Sequence, residues 1–419
     1  MKKGRYLFMV VAVLLAVSLV LSCAPAPAPP APAPAPAPKP APAPKPAPAP
    51  KPAAPKLPPK PEMIAISDFD IGVYLYTESG ALGSAIYKKF GTRIRVVPIG
   101  NSVARAISTR AGSTQFWKSC SAYLACIEGV SDFATIEWGP QPLRLIYTVN
   151  REVFFSPAVA ADSGIKTMDD TKGKRVAWMI GNPTINLQIE AWLAFAGLTT
   201  DDVELVEFPG YSAGLRGMIA GAVDVCATTP TNPVAMEQAG SPHGLSWIPF
   251  PESDVEGWKR MREIAPFLVP ITLTKGIGIT PEHPVTATSY PCPNIVAWED
   301  QDEGLSYWFV KFIVETYDEY KDATATLGWW ELENCIGPEY MSLPYHEGAV
   351  KYFKEIGVWT DELEKRQQEF LNRQKVLGEA FEAAKAEFVE SGLKAKEFPG
   401  FWAKKRIEAL KAAGLLVWG

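Results

Sequence analysis

The sequence has few of the residues that metal sites and many catalytic sites use. Only three of its 419 residues are histidine, each lies within two residues of a proline, and none belongs to an HExxH pattern. No suitably placed SxxK pattern marks a nucleophile. Basic residues form no stripe, because 41 Lys and Arg are interspersed with 46 Asp and Glu, so nucleic acid is not an expected partner. These absences argue against an enzyme, and we expect no metal and no cofactor.

Cysteine is also scarce. Five cysteines follow Cys23, and no two of them form a CxxC pair, so a zinc or thioredoxin-type site is not indicated. They are Cys120, Cys126, Cys226, Cys292 and Cys335. An oxidising compartment permits disulfides, but the odd number leaves at least one thiol unpaired. The sequence does not fix which cysteines pair.

The one long apolar run lies at the N-terminus. Basic residues precede an apolar run of about 16 residues over 6–21, which is short for a membrane span and typical of a signal peptide. The run ends in Leu19-Val20-Leu21-Ser22-Cys23, which resembles the lipobox of bacterial lipoproteins. That resemblance implies cleavage before Cys23 and attachment of membrane lipid to it; an uncleaved anchor helix is the alternative. Both place the rest of the chain outside the cytoplasm.

Residues 24–61 are nearly all alanine and proline, with isolated lysines. Such a segment has too few core-forming residues to pack. It favours extended polyproline II structure at ~3.1 Å per residue, which predicts a semi-rigid tether of roughly 100 Å. The body that follows is long enough for two domains.

The body alternates short strands with helical segments, which predicts an α/β fold with helices on both faces of its sheets. The predicted strands are 63–66, 92–97, 143–149, 153–155, 174–180, 203–208 and 221–227. The predicted helices are 80–90, 102–109, 185–196 and 212–220. Residues 70–79 are predicted to be a loop in which Tyr74 and Tyr76 alternate with apolar neighbours and face one side, either lining the cleft or packing in the core. Trp117 and Trp178 are expected in the core.

Several motifs occur in an order and spacing that resemble a known receptor family. They are IGVYLYTESGALGSAI (71–86), IGNSVARAISTRAG (99–112), DSGIKTMDDTKGKRV (162–176), LTTDDVELVEF (198–208) and AGAVDVC (220–226). The chain is similar in these motifs to the TAXI family, the extracytoplasmic receptors of tripartite ATP-independent (TRAP) transporters. The resemblance implies a two-lobed type II periplasmic-binding-protein fold, in which each lobe is a sheet flanked by helices.

The chain departs from that family's pattern where the ligand is expected. Thr114 stands in place of a common acid, and Ser119-Cys120-Ser121 replaces a Gln-Asn-Asp stretch. A tyrosine expected near 275–278 is absent, and the usual Pro-Gly-Ser-Gly-Thr-like loop is here Gly181-Asn182-Pro183-Thr184. The ligand chemistry is therefore expected to differ, and no acidic pair remains that would suit an amino group.

Two predicted helix starts, at Ser102 and Thr184, offer backbone N–H groups and partial positive charge that suit a carboxylate. Arg105, in the first turn after Ser102, can form two parallel bonds with such a group; a surface arginine is the alternative. The predicted ligand contacts are Gly72, Tyr74, Tyr76, Asn101, Ser102, Arg105, Asn182 and Thr184. Glu78 is the exception among loops poor in acids, and it becomes a leading contact if the solute is neutral or cationic. Arg144, in a strand, is expected to have a structural partner.

The predicted organisation is a signal peptide (1–23), a tether (24–61), a first part of lobe I (62–152), lobe II (153–270), a return to lobe I (271–358) and a helical extension (359–419). The extension follows from apolar residues at helical spacing after Thr360. It either caps the lobes or contacts a second copy or a permease. The function hypothesis is a membrane-tethered receptor that delivers a small organic anion, a carboxylate, to a TRAP-type permease. An envelope sensor and, with less support, an enzyme on the same scaffold are the alternatives.

Overall fold

A computed structural model describes residues 57–149, 154–265 and 267–417. The signal peptide, Cys23 and the tether up to residue 56 lie outside the described residues. No helix in the described ranges combines the length and the apolar character needed to cross a bilayer.

The strands are β1 (Met63–Asp68), β2 (Arg93–Pro98), β3 (Phe116–Ser119), β4 (Leu143–Thr148), β5 (Ser156–Val159), β6 (Arg175–Met179), β7 (Glu204–Phe208), β8 (Val225–Thr228), β9 (Ser246–Trp247), β10 (Val269–Leu273), β11 (Val285–Ser289) and β12 (Asn294–Trp298). The helices are α1 (Tyr74–Phe90), α2 (Ser102–Arg110), α3 (Ala122–Glu128), α4 (Pro183–Phe195), α5 (Tyr211–Ile219), α6 (Pro233–Ala239), α7 (Val255–Ile264), α8 (Glu303–Glu315), α9 (Tyr317–Tyr320), α10 (Glu347–Glu355), α11 (Asp361–Ser391) and α12 (Phe398–Ala412). Short 3-10 turns join several of them.

The first sheet, with its flanking helices, forms lobe I. Its strand order is β2-β1-β3-β12-β4. Strand β1 pairs in parallel with β2 and β3, whereas β12 returns from far along the chain and pairs antiparallel with β3 and β4. Trp117 on β3 is fully buried, so its predicted core position is confirmed. Arg144 on β4 pairs with Glu299 at 2.6 Å, the structural partner that its strand position requires.

The second five-stranded sheet forms lobe II and repeats the same plan. Its order is β7-β6-β8-β5-β9, with β6 parallel to β7 and β8, and β5 antiparallel to β8 and β9. The antiparallel hairpin of β10 and β11 packs in the lobe II core through Ile271 and Ala287. The chain joins the lobe I sheet at Asn294, later than the boundary at 271 that the sequence suggests. The predicted α/β architecture, with two helix-flanked sheets and a helical C-terminal extension, is confirmed.

The prediction for the start of α1 was wrong. The helix begins at Tyr74, six residues before the expected start at Gly80, so Tyr74 and Tyr76 lie on a helix and do not alternate as on a strand. The buried positions of its first turns include Glu78 and Ser79. Because polar residues occupy these inward positions, the apolar periodicity that marks a helix is hidden there.

A second correction concerns Trp178. We expected this residue in the core, but it is half-buried on β6 and lines a groove between α3 and α4. Its strand neighbours Ala177 and Met179 are fully buried, so the strand itself is internal. The groove exposes part of the indole because α3 of lobe I approaches this end of β6 without covering it.

The C-terminal helices form a small core of their own. Helices α11 and α12 pack through Phe381, Phe388, Phe398 and Trp402, which make edge-to-face ring contacts. The ring of Phe381 also lies against Gly139, where a Cβ would collide with it. The two helices therefore pack against the 133–141 segment of lobe I.

Candidate functional site

The loops that leave the carboxyl ends of strands in the two lobes meet one another, the place where open α/β sheets bind ligands. Asn101 Nδ2 donates to the Ile180 carbonyl at 2.8 Å, and the Val103 N–H donates to the Gly181 carbonyl at 3.2 Å. The predicted helix starts thus contact each other across the cleft, and the lobes are closed.

A third bond completes this contact. Ser102 Oγ donates to Asn182 Oδ1 at 3.0 Å. Asn101 also caps α2, because its Oδ1 accepts from the Ala104 N–H at 2.9 Å. Gly181 has φ +64° and lies so close to the Asn101 amide that a Cβ would collide with it. A glycine is therefore needed at 181 for the lobes to come together.

Arg105 is buried within lobe I. It is 1 % exposed, which excludes the surface alternative. Its Nη1 donates to the Ile99 carbonyl at 2.6 Å and its Nη2 to Ser102 Oγ at 2.8 Å. Burial lowers its pKa to about 10, while Asp68 and Asp70 act in the opposite direction. Both hydrogen bonds of the guanidinium described here lie within the lobe, and a contact with the solute stays a prediction.

A buried ion cluster holds the first turns of α1 on β3. Lys118, which is fully buried, lies 3.4 Å from Glu78 and 3.9 Å from Asp68. Its Nζ also donates to the Leu75 carbonyl at 2.6 Å and to Ser79 Oγ at 3.0 Å. Burial raises the pKa of Asp68, and the Lys118 charge opposes that rise. Glu78 is therefore a structural partner of Lys118, a lysine that sequence reasoning missed because it lies in a strand 40 residues away.

A cavity of about 50 Å³ lies between the lobes; we call it the inner cavity. Its apolar walls include Phe69, Val73, Leu75, Phe155, Ile185 and Tyr290. Its polar groups belong to Tyr74, Asn182, Thr184, Tyr211 and Thr229. Of the predicted contacts, Tyr74, Asn182 and Thr184 line this cavity, whereas Gly72, Tyr76, Asn101, Ser102 and Arg105 do not.

Several lining residues were missed at the sequence level. Tyr211 opens α5 directly after β7, so the rule that ligands sit at strand ends would have found it. Phe155 and Tyr290 lie where the chain passes between the lobes, and no local pattern marks such positions. Tyr211 donates to Thr228 Oγ1 at 2.9 Å, and burial raises its pKa above the usual range. Hydroxyls and an amide on apolar walls suit binding by hydrogen bonds and burial.

The wall of the inner cavity also contains a disulfide. Cys120 at the end of β3 is bonded to Cys292, 172 residues away, between β11 and β12. Within the described ranges, Cys126 and Cys226 are free cysteines and are buried. The disulfide ties the returning chain to lobe I beside the cavity.

An outer cavity of about 250 Å³ adjoins the inner one, because Tyr74 and Thr229 line both. Its other walls include Phe154, Leu273, Lys275, Thr231, Thr326 and Trp329. The side chain of Trp329 is 43 % exposed, unusually open for a tryptophan. The two cavities thus lie on either side of Tyr74 and Thr229, and the outer one is the more open to the surface at Trp329.

The groove beside Trp178 is larger, about 460 Å³, but it lies along the sides of α3 and α4. It carries the carboxylates of Asp132, Glu190 and Glu207. Burial raises the pKa of Asp132 and of Glu190. In the residues that the structure covers, no group of three or more His, Cys, Asp or Glu side chains is placed to hold a metal ion. The groove also includes Ile180, Gly181 and Pro183 of the strand-end loop, and its carboxylates would repel an anionic solute.

Three solved structures illustrate what this chain is similar to. PhnD1 of Prochlorococcus marinus, in complex with methylphosphonate, is 12 % identical with a TM-score of 0.42, and the match covers 71 % of this chain and 100 % of that one. The alkanesulfonate-binding protein SsuA of Xanthomonas axonopodis pv. citri, bound to MOPS, is 14 % identical with a TM-score of 0.38 over 73 % and 96 % of the two chains. A periplasmic binding protein of Brucella ovis with glutathione bound is 9 % identical with a TM-score of 0.39 over 63 % and 74 %.

The family comparison covers most of both lobes. The model of the NMT1-like family matches residues 72–357, from the first turn before α1 to the end of α10. The match contains the inner cavity's residues from Val73 to Cys292 and stops before the two C-terminal helices. The match spans more than half of the chain, so this protein belongs to the NMT1-like family.

Proposed function

We propose that this protein is an extracytoplasmic solute receptor of the TAXI type that binds a small organic anion, a carboxylate, between its lobes. Lipid on Cys23 holds it at the membrane, and a TRAP-type permease receives the solute. The observation that carries the proposal is the inner cavity, whose walls come from strand-end loops of both lobes. A solute there gains contacts with both lobes only when the lobes close. In this proposal the permease recognises the closed, solute-bound form.

Hydrogen bonds between residues around the inner cavity stabilise the closed state. The bonds from Asn101, Ser102 and Val103 to the 180–182 loop hold the lobes together beside the solute. Arg105 donates a hydrogen bond to Ser102 Oγ and so fixes the position of this hydroxyl. In this proposal Tyr74, Asn182 and Thr184 touch the solute, while Asn101, Ser102 and Arg105 shape the closed state.

The membrane anchor is tested first. Changing Cys23 to alanine is expected to release the protein from the membrane or to leave its precursor uncleaved, because the acylated residue is lost. Membrane fractionation with mass spectrometry of the N-terminus measures both outcomes. A correctly cleaved Cys23→Ala protein that stays on the membrane would end the lipoprotein proposal.

The solute site is tested by removing one hydroxyl. We expect Thr184→Val to weaken binding about tenfold, the effect of one lost hydrogen bond in a buried site. Thr272→Val is the matched control, because Thr272 is exposed on the β10–β11 hairpin, where it bonds only Thr286 across the strands. Calorimetric titration of both variants uses the best solute from a panel of carboxylates, amino acids and aromatic acids.

Two results would contradict this part of the proposal. Equal affinities of Thr184→Val and Thr272→Val would move the site away from the inner cavity. A best solute that is neutral or cationic would reject the carboxylate while leaving the receptor function in place.

A further inference from the structure

We propose that the solute is an elongated aliphatic monocarboxylate that binds tail first, with its hydrocarbon end in the inner cavity and its carboxylate in the outer cavity at Lys275. This inference rests on the proposed receptor function and adds the solute's shape, charge and direction. Three features of the two cavities lead to it: the size of the inner one, the chemistry of its walls and the position of the cation.

The inner cavity is too small to hold an organic acid by itself. It measures about 50 Å³, whereas a cavity that binds benzene measures about 150 Å³. The closed lobes therefore have room for a few carbon atoms at this level. Any larger solute must continue past Tyr74 and Thr229 into the outer cavity, which is about five times as large.

The walls of the inner cavity suit a hydrocarbon better than a carboxylate. Aromatic and aliphatic side chains and the disulfide form most of its described lining, which contains no charged side chain. A carboxylate placed there would lose its hydration without meeting a cation among the described lining residues, which is strongly unfavourable. Of the buried cations described in lobe I, Lys118 is paired with Asp68 and Glu78, and Arg105 donates to the Ile99 carbonyl and to Ser102 Oγ.

The outer cavity has the cation that the inner one lacks. Among its described lining residues, Lys275 is the single charged side chain, and it makes no ion pair or hydrogen bond with another described residue. It is exposed, so a carboxylate beside it keeps part of its hydration. The half-open indole of Trp329 offers an apolar surface for the methylene groups between the two ends. The inner cavity is thus apolar, and the outer cavity is cationic.

The test is a series of straight-chain carboxylates from acetate to decanoate, titrated calorimetrically against the wild type, Lys275→Met and Lys275→Arg. In the wild type, affinity should rise about fourfold for each added methylene until the tail fills the inner cavity. Lys275→Met should lower the affinity of the longer acids about tenfold, as expected for one charge-assisted hydrogen bond. Lys275→Arg should retain most of it. Lys365→Met, at an exposed lysine on α11 with no described partner, is the matched control.

Two sets of control ligands test whether the solute binds with its hydrocarbon end in the inner cavity. The primary amides of the same acids should bind equally to the wild type and to Lys275→Met, since they lack the charge. Dicarboxylates of equal length should bind at least tenfold more weakly than the monocarboxylates, because their second carboxylate would be buried in the inner cavity.

The outcomes separate this inference from the receptor function. If carboxylates bind with no dependence on chain length or on Lys275, or if dicarboxylates bind as well as monocarboxylates, tail-first binding is wrong. In either case a loss of affinity in Thr184→Val would still support the receptor site. If no acid of the series binds while another solute of the panel does, the solute class is overturned and the receptor function is retained.

Discussion

Replacing Glu128 by alanine is expected to lower the free energy of unfolding by about 3–5 kcal/mol, the range for breaking a buried ion pair by removing one partner. Glu128 is fully buried at the end of α3. Its Oε1 accepts from Arg373 Nε at 2.7 Å, and its Oε2 accepts from Arg406 Nη1 at 2.6 Å. One carboxylate thus contacts both α11 and α12 from lobe I, and its removal takes this ion pair from two buried arginines.

The loss should be largest in the C-terminal helices. Besides the two arginines, Trp402 Nε1 donates to the Glu128 carbonyl at 3.3 Å, so three of the bonds between these helices and lobe I meet at one residue. Urea denaturation measures the stability, and hydrogen exchange shows whether α11 and α12 open before the lobes. Glu128→Gln tests the charge separately from the packing, since it keeps the shape of the side chain and removes the anion.

The control for this prediction is Glu379→Ala on α11. Glu379 lies 4.0 Å from Lys375, and both side chains are mostly exposed, so this ion pair should contribute little. If Glu128→Ala unfolds at the same urea concentration as Glu379→Ala, the buried cluster does not hold the extension. In that case the aromatic contacts of Phe381 and Trp402 would be sufficient.

Elements whose signals are local could be predicted from the sequence. Gly181-Asn182-Pro183 separates a buried strand from a helix, and β6 and α4 lie on either side of it as expected. The helix predicted from Ser102 begins there, and Asn101 directly before it caps α2. In both cases the turn or cap chemistry acts within a few residues, so the sequence contains all that decides the structure.

The start of α1 could not be predicted, because its cause is not local. Glu78 and Ser79 face inward to meet Lys118 on β3, so two polar residues occupy positions where a helical pattern would show apolar ones. The buried charges of that cluster stabilise each other only after β1, β3 and α1 have come together. A window of sequence around Tyr74 does not contain this information.

The candidate site also contains some residues that the sequence could predict and others that only tertiary packing decides. The rule that ligands bind at strand ends located Tyr74, Asn182 and Thr184. The role of Arg105 was harder to predict, since its guanidinium lies over the Phe69 ring of another loop and donates to the Ile99 carbonyl. The sequence could suggest a cation near the cleft, but only the packing of lobe I decides which way that cation points.

Removing the disulfide is the other change with a large expected effect. The chain-entropy model gives about 5 kcal/mol for a loop of this size, and removal of native disulfides typically costs about 2–5 kcal/mol. The bond closes a loop of 172 residues that contains the whole of lobe II. We therefore expect the double variant Cys120→Ser, Cys292→Ser to unfold at a clearly lower urea concentration than the wild type.

Reduction provides the internal comparison. A reductant should destabilise the wild type to the level of the double variant and leave the double variant unchanged, because only the wild type has the bond. Cys226→Ala, which removes a free buried thiol, should keep the sensitivity to reductant. A wild type that is equally stable with and without reductant would show that the bond adds no stability. Because Cys120 and Cys292 line the inner cavity, loss of the disulfide should also weaken solute binding. A double variant that binds the solute with full affinity would show that the cavity wall keeps its shape without the disulfide.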